Sequence, residues 1–176
     1  MGALAEDAGL NKIDGIPENG PADNTRACRP FAENCGFTLS EAAQFLILFD
    51  DELAMEMGAN IYGSVADVFI NADGFKKSIP GPGIGNYVTM GKSMGMVRSI
   101  LGEEALKHRT YIQAHGTGTP QNRVTESHIF NELAKAFGMQ NWPVTAIKAY
   151  LGHSLATAAG DQIVASLGTW AHGLIP

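Results

Sequence analysis

The chain has 176 residues, 45% of them apolar and 17% charged, which suits one globular domain with a real core. Its net charge is −6 and its 12 lysines and arginines are scattered, so neither a nucleic-acid groove nor a polybasic membrane surface is expected. No apolar run approaches the roughly 18 residues of a membrane span.

Met1 to Ala5 reads as helical, and residues 6–27, rich in Gly, Pro, Asp and Asn, as a long surface loop of insertion type. The two cysteines, Cys28 and Cys35, follow in a loop-like region. Neither has a CxxC partner, and both are expected as reduced thiols of a cytoplasmic protein. Cys28 stands in Arg-Ala-Cys-Arg-Pro with no histidine nearby in sequence, which argues against a nucleophile.

From Gly36 the pattern turns apolar. Phe37, Leu39 and the run Ala42 to Phe49 predict a strand, and Asp50-Asp51-Glu52 supplies acids for the first turn of a short helix closed by Gly58. Ile61 to Ile70 predicts a second strand, ended by Asn71-Ala72-Asp73-Gly74-Phe75. The loop Gly81-Pro82-Gly83-Ile84-Gly85 lacks the spacing of a dinucleotide fingerprint, and Pro82 removes an N–H that a phosphate would use.

A helix is predicted over Tyr87 to Leu101, a strand over Arg109 to Ala114, and a helix over Glu126 to Phe137 with Gly138 as its cap. Pro143 to Ile147 reads as the next strand, and Leu155 to Trp170 as a buried helix, apolar nearly all round. An apolar segment starts at Gly173, and both ends of the chain read as cuts. The alternation of strand and helix implies α/β layering over a mainly parallel sheet.

Two stretches carry the chemistry, Gln113-Ala114-His115-Gly116-Thr117-Gly118-Thr119-Pro120 and Ala146-Ile147-Lys148-Ala149-Tyr150-Leu151-Gly152-His153. Each reads as a strand that breaks at glycine and presents a histidine, at the sheet edge where α/β folds place ligands. Thr117 and Thr119 offer hydroxyls to a polar, uncharged ligand. His153 should sit at the N-terminus of the following helix, whose dipole would keep the imidazole neutral and able to donate to an oxyanion. Metal binding would want a third ligand, and none is evident. Lys148, flanked by apolar residues, is expected to be partly buried and to pair with Glu126. His108, His128 and His172 are expected to be solvated.

His-Gly-Thr-Gly-Thr-Pro, then Glu126, then Lys148-x-x-x-Gly-His153 resembles the C-terminal half of a β-ketoacyl synthase, a condensing enzyme of the thiolase-like superfamily. Met1-Gly-Ala-Leu, Arg29-Pro30-Phe31, Gly36-Phe37, Glu41-Ala42 and Asp73-Gly74-Phe75 fall in the same family order. The resemblance implies half of a thiolase-like fold, with a mixed, mostly parallel five-stranded sheet layered with helices. It covers residues 1–176 as a single C-terminal domain, truncated at both ends, with 6–27 inserted.

The activity implied is decarboxylative Claisen condensation of an acyl thioester with a malonyl-carrier protein, in fatty acid or polyketide synthesis. His115 and His153 match the family histidines that hold the malonyl carbonyl, and Lys148 the supporting lysine with Glu126 as its partner. Thr117 and Thr119 match the threonines that contact the phosphopantetheine arm of the acyl carrier protein or carrier domain. No bound cofactor or metal is implied, and the full-length enzyme would be a homodimer.

Departures from the family pattern are Arg123 where Asp is usual, Ser40 and Ala42 in place of glycines, and Ala149 in place of serine. The nucleophilic cysteine belongs to the family's other half, and Cys28 and Cys35 fall elsewhere. The chain alone is therefore expected not to condense. The alternative is a non-catalytic partner of the chain-length-factor type, which the presence of His115, Lys148 and His153 opposes.

Overall fold

The computed structural model describes residues 28–32, 37–73 and 83–176. The expected helix at Met1 to Ala5, the 6–27 insertion and Cys35 lie outside the described residues.

The described residues are mainly helical. α1 spans Asp51–Glu56, with the Asp50 carboxylate accepting from the Glu52 amide at 3.0 Å as its N-cap. α2 spans Ile84–Leu101 and α3 Glu103–His108, turning at Gly102. α4 spans Pro120–Phe137. It starts earlier than the predicted Glu126, because Thr119 caps it by accepting from the Asn122 amide at 3.3 Å and Pro120 occupies the first helical position. It ends at Gly138, left-handed at φ 63°, as the sequence predicts.

Met94 of α2, Leu106 of α3, and Ile129 and Leu133 of α4 meet Met139 in one buried cluster. Phe130, Phe137 and Trp142 pack around it. The Trp142 indole N–H donates to Thr110 Oγ1 at 3.1 Å, which satisfies the polar edge of an otherwise apolar ring.

β1 (Ile112–Gln113) and β2 (Val144–Thr145) pair in parallel, Ile112 opposite Val144 and Gln113 opposite Thr145. With α4 between them they form a β-α-β unit whose strand ends both deliver the loops of interest. An isolated parallel bridge joins Leu39 to His153.

The α/β layering with a parallel sheet is as predicted, but the described residues show two short paired strands where five are expected. Ala42 to Phe49 and Ile61 to Ile70 form no strand; they run without ladder partners, and their apolar side chains face solvent, Phe45 at 94% and Ile70 at 89% exposed. Their β-branched and aromatic content is that of a strand, but a strand exists only against a neighbour. Among the described residues none lies beside either segment in register.

Two further expectations are corrected. Lys148 does not end a strand; it opens a short helix, α5 (Lys148–Leu151), because the chain turns directly after β2. The last helix begins with a 3-10 turn at Leu155–Thr157, and α6 runs Ala158–His172. It is not buried all round, since Ile163, Val164 and Trp170 are exposed and only Ala158 and Thr169 are fully covered. No helix among the described residues is long and apolar enough to cross a membrane.

Leu133 is 2% exposed at the centre of the helical cluster. Leu133→Ala is expected to destabilise the fold by about 2–5 kcal/mol through lost burial and an unfilled cavity. The shift in a chemical denaturation midpoint checks this, and a change below about 1 kcal/mol would remove the cluster as the main core.

Candidate active site

His115 follows β1, and its position is set by its main chain. Its amide donates to Glu126 Oε1 and the Gly116 amide to Glu126 Oε2, both at 2.8 Å. Asn122, one turn earlier on α4, donates its amide to Glu126 Oε2 at 2.6 Å. The His115 carbonyl accepts from the Lys148 ammonium at 2.7 Å. Glu126 and Lys148 are 7% and 2% exposed, so these charge-assisted bonds form away from water, where they are strong.

The expected ion pair takes another form. Among the described residues no direct bridge joins Glu126 to Lys148. The carboxylate is already held by two main-chain amides and Asn122, while the ammonium turns to the His115 carbonyl. The two charges still attract across the loop, and Glu126 is the foremost influence opposing the drop that burial imposes on the Lys148 pKa.

Gly116 is required by space as well as by its φ of 54°: a Cβ there would lie 2.4 Å from the Ala146 Cβ. This close approach brings the His115 loop against the end of β2. Gln162 of α6 donates to the Ala114 carbonyl from the other side.

The His153 amide donates to the Thr38 carbonyl at 2.7 Å, and the Ser40 amide donates to the His153 carbonyl at 3.1 Å. Gly152, at φ 76°, allows this approach, because a Cβ there would stand 2.8 Å from the Thr38 oxygen. Phe37 covers one side of the His153 ring, with centroids 5.1 Å apart.

The structure brings the two predicted histidines together. Their rings meet edge to face, with centroids 5.5 Å apart and an interplanar angle of 85°. The Leu155 amide donates to His153 Nδ1 at 3.0 Å, so that nitrogen accepts and the proton sits on Nε2. The Lys148 ammonium faces His115 Nδ1 at 3.5 Å and dictates the same tautomer there.

Both imidazoles are held neutral, with pKa values lowered to about 4. Burial is the largest cause for each and the Lys148 charge the second; for His153 the His115 ring adds to the drop and Asp161 opposes it. As the sequence leads one to expect, His153 lies just ahead of a helix N-terminus: the 3-10 turn Leu155–Thr157 runs into α6 at Ala158, and its first amide, that of Leu155, meets the ring.

A cleft of about 190 Å³ opens beside His115, lined in part by Thr117, Thr119, Asn122, Asn86 and Asp73. The Thr117 and Thr119 hydroxyls are 3.1 Å apart and bonded to each other. Asp73 accepts from the Gly83 and Gly85 amides at 3.2 and 2.6 Å, fixing the start of α2 as the opposite wall. The lining side chains are mostly uncharged, with the Asp73 carboxylate at one wall.

Cys28 lies behind the same loop, its thiol donating to the Thr117 carbonyl at 3.9 Å. Burial pushes that thiol up, away from the thiolate a nucleophile requires. Among the other histidines, His108 and His172 are exposed, as is His128. His108 meets Glu104 at 3.6 Å on the surface.

Asn122, Asp161 and Gln162 had not been singled out from sequence. Asn122 could have been found as the residue four before Glu126 on one helix face. No local signal marks Asp161 or Gln162 beyond their place in the first turn of a helix.

The profile of the family described as "Beta-ketoacyl synthase, C-terminal domain" matches residues 62–176. The β-ketoacyl-(acyl-carrier-protein) synthase FabY of Pseudomonas aeruginosa is 54% identical over the whole chain, which spans 27% of that protein. The crystal structure of that noncanonical ketosynthase superposes with a TM-score of 0.91, at 50% identity, over 99% of this chain and 28% of the other. The 3-oxoacyl-(acyl-carrier-protein) synthase 2 of Synechocystis is 32% identical over 155 residues, covering 88% of this chain and 36% of its own length. The chain thus spans about a quarter to a third of the relatives it matches. With its paired histidines, buried lysine and thiolase-like architecture, the chain belongs to the β-ketoacyl synthase family, in that family's C-terminal domain.

Proposed function

We propose that this chain supplies the decarboxylating part of a β-ketoacyl synthase that condenses an acyl thioester with a malonyl-carrier protein. The observation that carries the reading is the edge-to-face pair of neutral imidazoles. Each has Nδ1 engaged by the protein and Nε2–H left to donate. Two such donors converging on a thioester carbonyl stabilise the enolate oxygen that forms as the malonyl C–C bond breaks and carbon dioxide leaves.

The enolate carbon then attacks the carbonyl of an acyl group held as a thioester on a cysteine. The tetrahedral intermediate collapses by expelling the thiolate. That cysteine is to come from the part of the protein outside these residues, since Cys28 is tied to the Thr117 loop with its pKa raised. Lys148 and Glu126 clamp the His115 peptide, and Thr117 and Thr119 receive the phosphopantetheine arm in the cleft.

The residues 1–176 form one C-terminal domain of a longer, cytoplasmic, homodimeric enzyme. The unladdered segments 42–49 and 61–70 fit that reading, since they have the composition of sheet strands without ladder partners among the described residues. The alternative of a non-catalytic partner of the chain-length-factor type is not favoured, because such a partner would have no need of the imidazole pair and its clamp. The acyl-carrier protein as partner is supported by the name of the Pseudomonas relative.

In the full-length protein, His115→Ala or His153→Ala is expected to lower carbon dioxide release from malonyl-carrier protein by about 10²–10³ in kcat. Release at the parental rate in either variant would sink the proposal. The 176-residue chain by itself is expected to show no condensation, and product from a pure sample would refute the need for an outside cysteine.

The pH dependence follows from the two lowered pKa values. Protonating Nδ1 breaks the bond from Leu155 or turns His115 against Lys148, so the rate should stay flat on acidification until near pH 4. Unfolded histidines take up protons near 6.5, above their folded value, so stability is intact at neutral pH and lost progressively as pH falls from about 6.5 towards 4. A rate that halves near pH 6.5 while the protein remains folded would contradict the burial argument.

A further inference from the structure

Asp161 and Gln162 are consecutive residues in the first turn of α6, and each reaches one of the two histidine loops. One Asp161 carboxylate oxygen accepts from the Ser154 hydroxyl, one peptide bond from His153. The other accepts from the Gln44 amide, on the extended segment whose Thr38 and Ser40 bracket His153 by main-chain bonds. Gln162 donates to the carbonyl of Ala114, one peptide bond before His115.

Resting on the function proposed above, we infer that Asp161 and Gln162 are positioning residues that set the separation and angle of the two imidazoles. The helix acts as a rigid bar between the loops. Gly160 confirms how closely the bar is fitted, since a Cβ there would stand 2.6 Å from the Gln44 side-chain oxygen. Ser154 is fixed further by the Thr157 hydroxyl, which donates to its carbonyl at 3.2 Å.

No other acidic side chain among the described residues bonds to the His153 loop. The charged and titratable groups that face the His153 ring are Lys148, His115 and Asp161. Neither Asp161 nor Gln162 touches the cleft, so their effect on the reaction passes through the histidines.

The test uses the full-length enzyme, with carbon dioxide release from malonyl-carrier protein and the nitrogen-15 shifts of labelled histidines as separate readouts. Asp161→Ala and Gln162→Ala are each expected to lower kcat on the order of tenfold, by displacing one imidazole, while KM for the carrier protein is unchanged. Asp161→Asn should recover most of the rate, because its amide oxygen still accepts from Gln44 and its NH2 donates to Ser154. The His153 signal should move from a single Nε2–H tautomer in the parent to a mixture in Asp161→Ala.

Parental kcat and an unchanged tautomer in a folded Asp161→Ala enzyme would overturn the inference. Should that variant not fold, Ser154→Ala removes only the arm to the His153 loop and is expected to cost a few-fold in kcat; a parental rate there would equally overturn it. If the parent enzyme releases no carbon dioxide, the functional reading fails, and the tautomer comparison still decides whether Asp161 positions His153.

Discussion

The Lys148 ammonium, 2% exposed, is held by the carbonyl of His115 at 2.7 Å, and the carboxylate of Glu126 by the two amides that flank that carbonyl. Burying either charge alone would cost several kcal/mol. The cost is offset because two successive peptide groups lie between them, the His115 carbonyl facing the cation and the His115 and Gly116 amides the anion. The charges therefore act through the polarised main chain of the loop that carries the His115 ring. Loss of either partner would leave the other charge buried and the loop free to turn.

This arrangement separates two tasks within one small fold. The helical cluster around Leu133 and Leu106 supplies apolar burial and includes no residue of the site. Its contribution to function is geometric: α4 leaves that core with Glu126 on its inner face, four residues beyond Asn122, and reaches the loop after β1. The sheet edge supplies the other half, because parallel strands send both loops to the same end. The histidines meet where a stable helix and a sheet edge converge.

Much of this was legible in the residues. The 3.6-residue period of Ile129, Phe130, Leu133 and Phe137 marks α4, and glycine at 138 marks its end. His115, Lys148 and His153 are visible as polar groups where apolar runs break at glycine, and Glu126 as the acid at the start of the predicted helix. The segments 42–49 and 61–70 misled because strand composition is a preference for a surface to pack against, and that surface is not among the described residues. The partner of Lys148 misled for a different reason: from sequence, an acid and a base suggest a salt bridge, while the competing main-chain donors of His115 and Gly116 become apparent only once the loop is folded. No residue pattern announces the 3-10 turn at Leu155–Thr157 that stands between His153 and α6.

The close contact at Gly116 has a consequence for how such a site can change. Its missing side chain places the backbone of one histidine loop against the methyl of Ala146, so the two loops are separated by a spacer of zero length. A single added methyl would act as a wedge, parting the loops by more than a hydrogen bond can stretch while leaving every polar group in place. At position 116 the loops of this chain are thus constrained by steric registration as well as by their polar contacts.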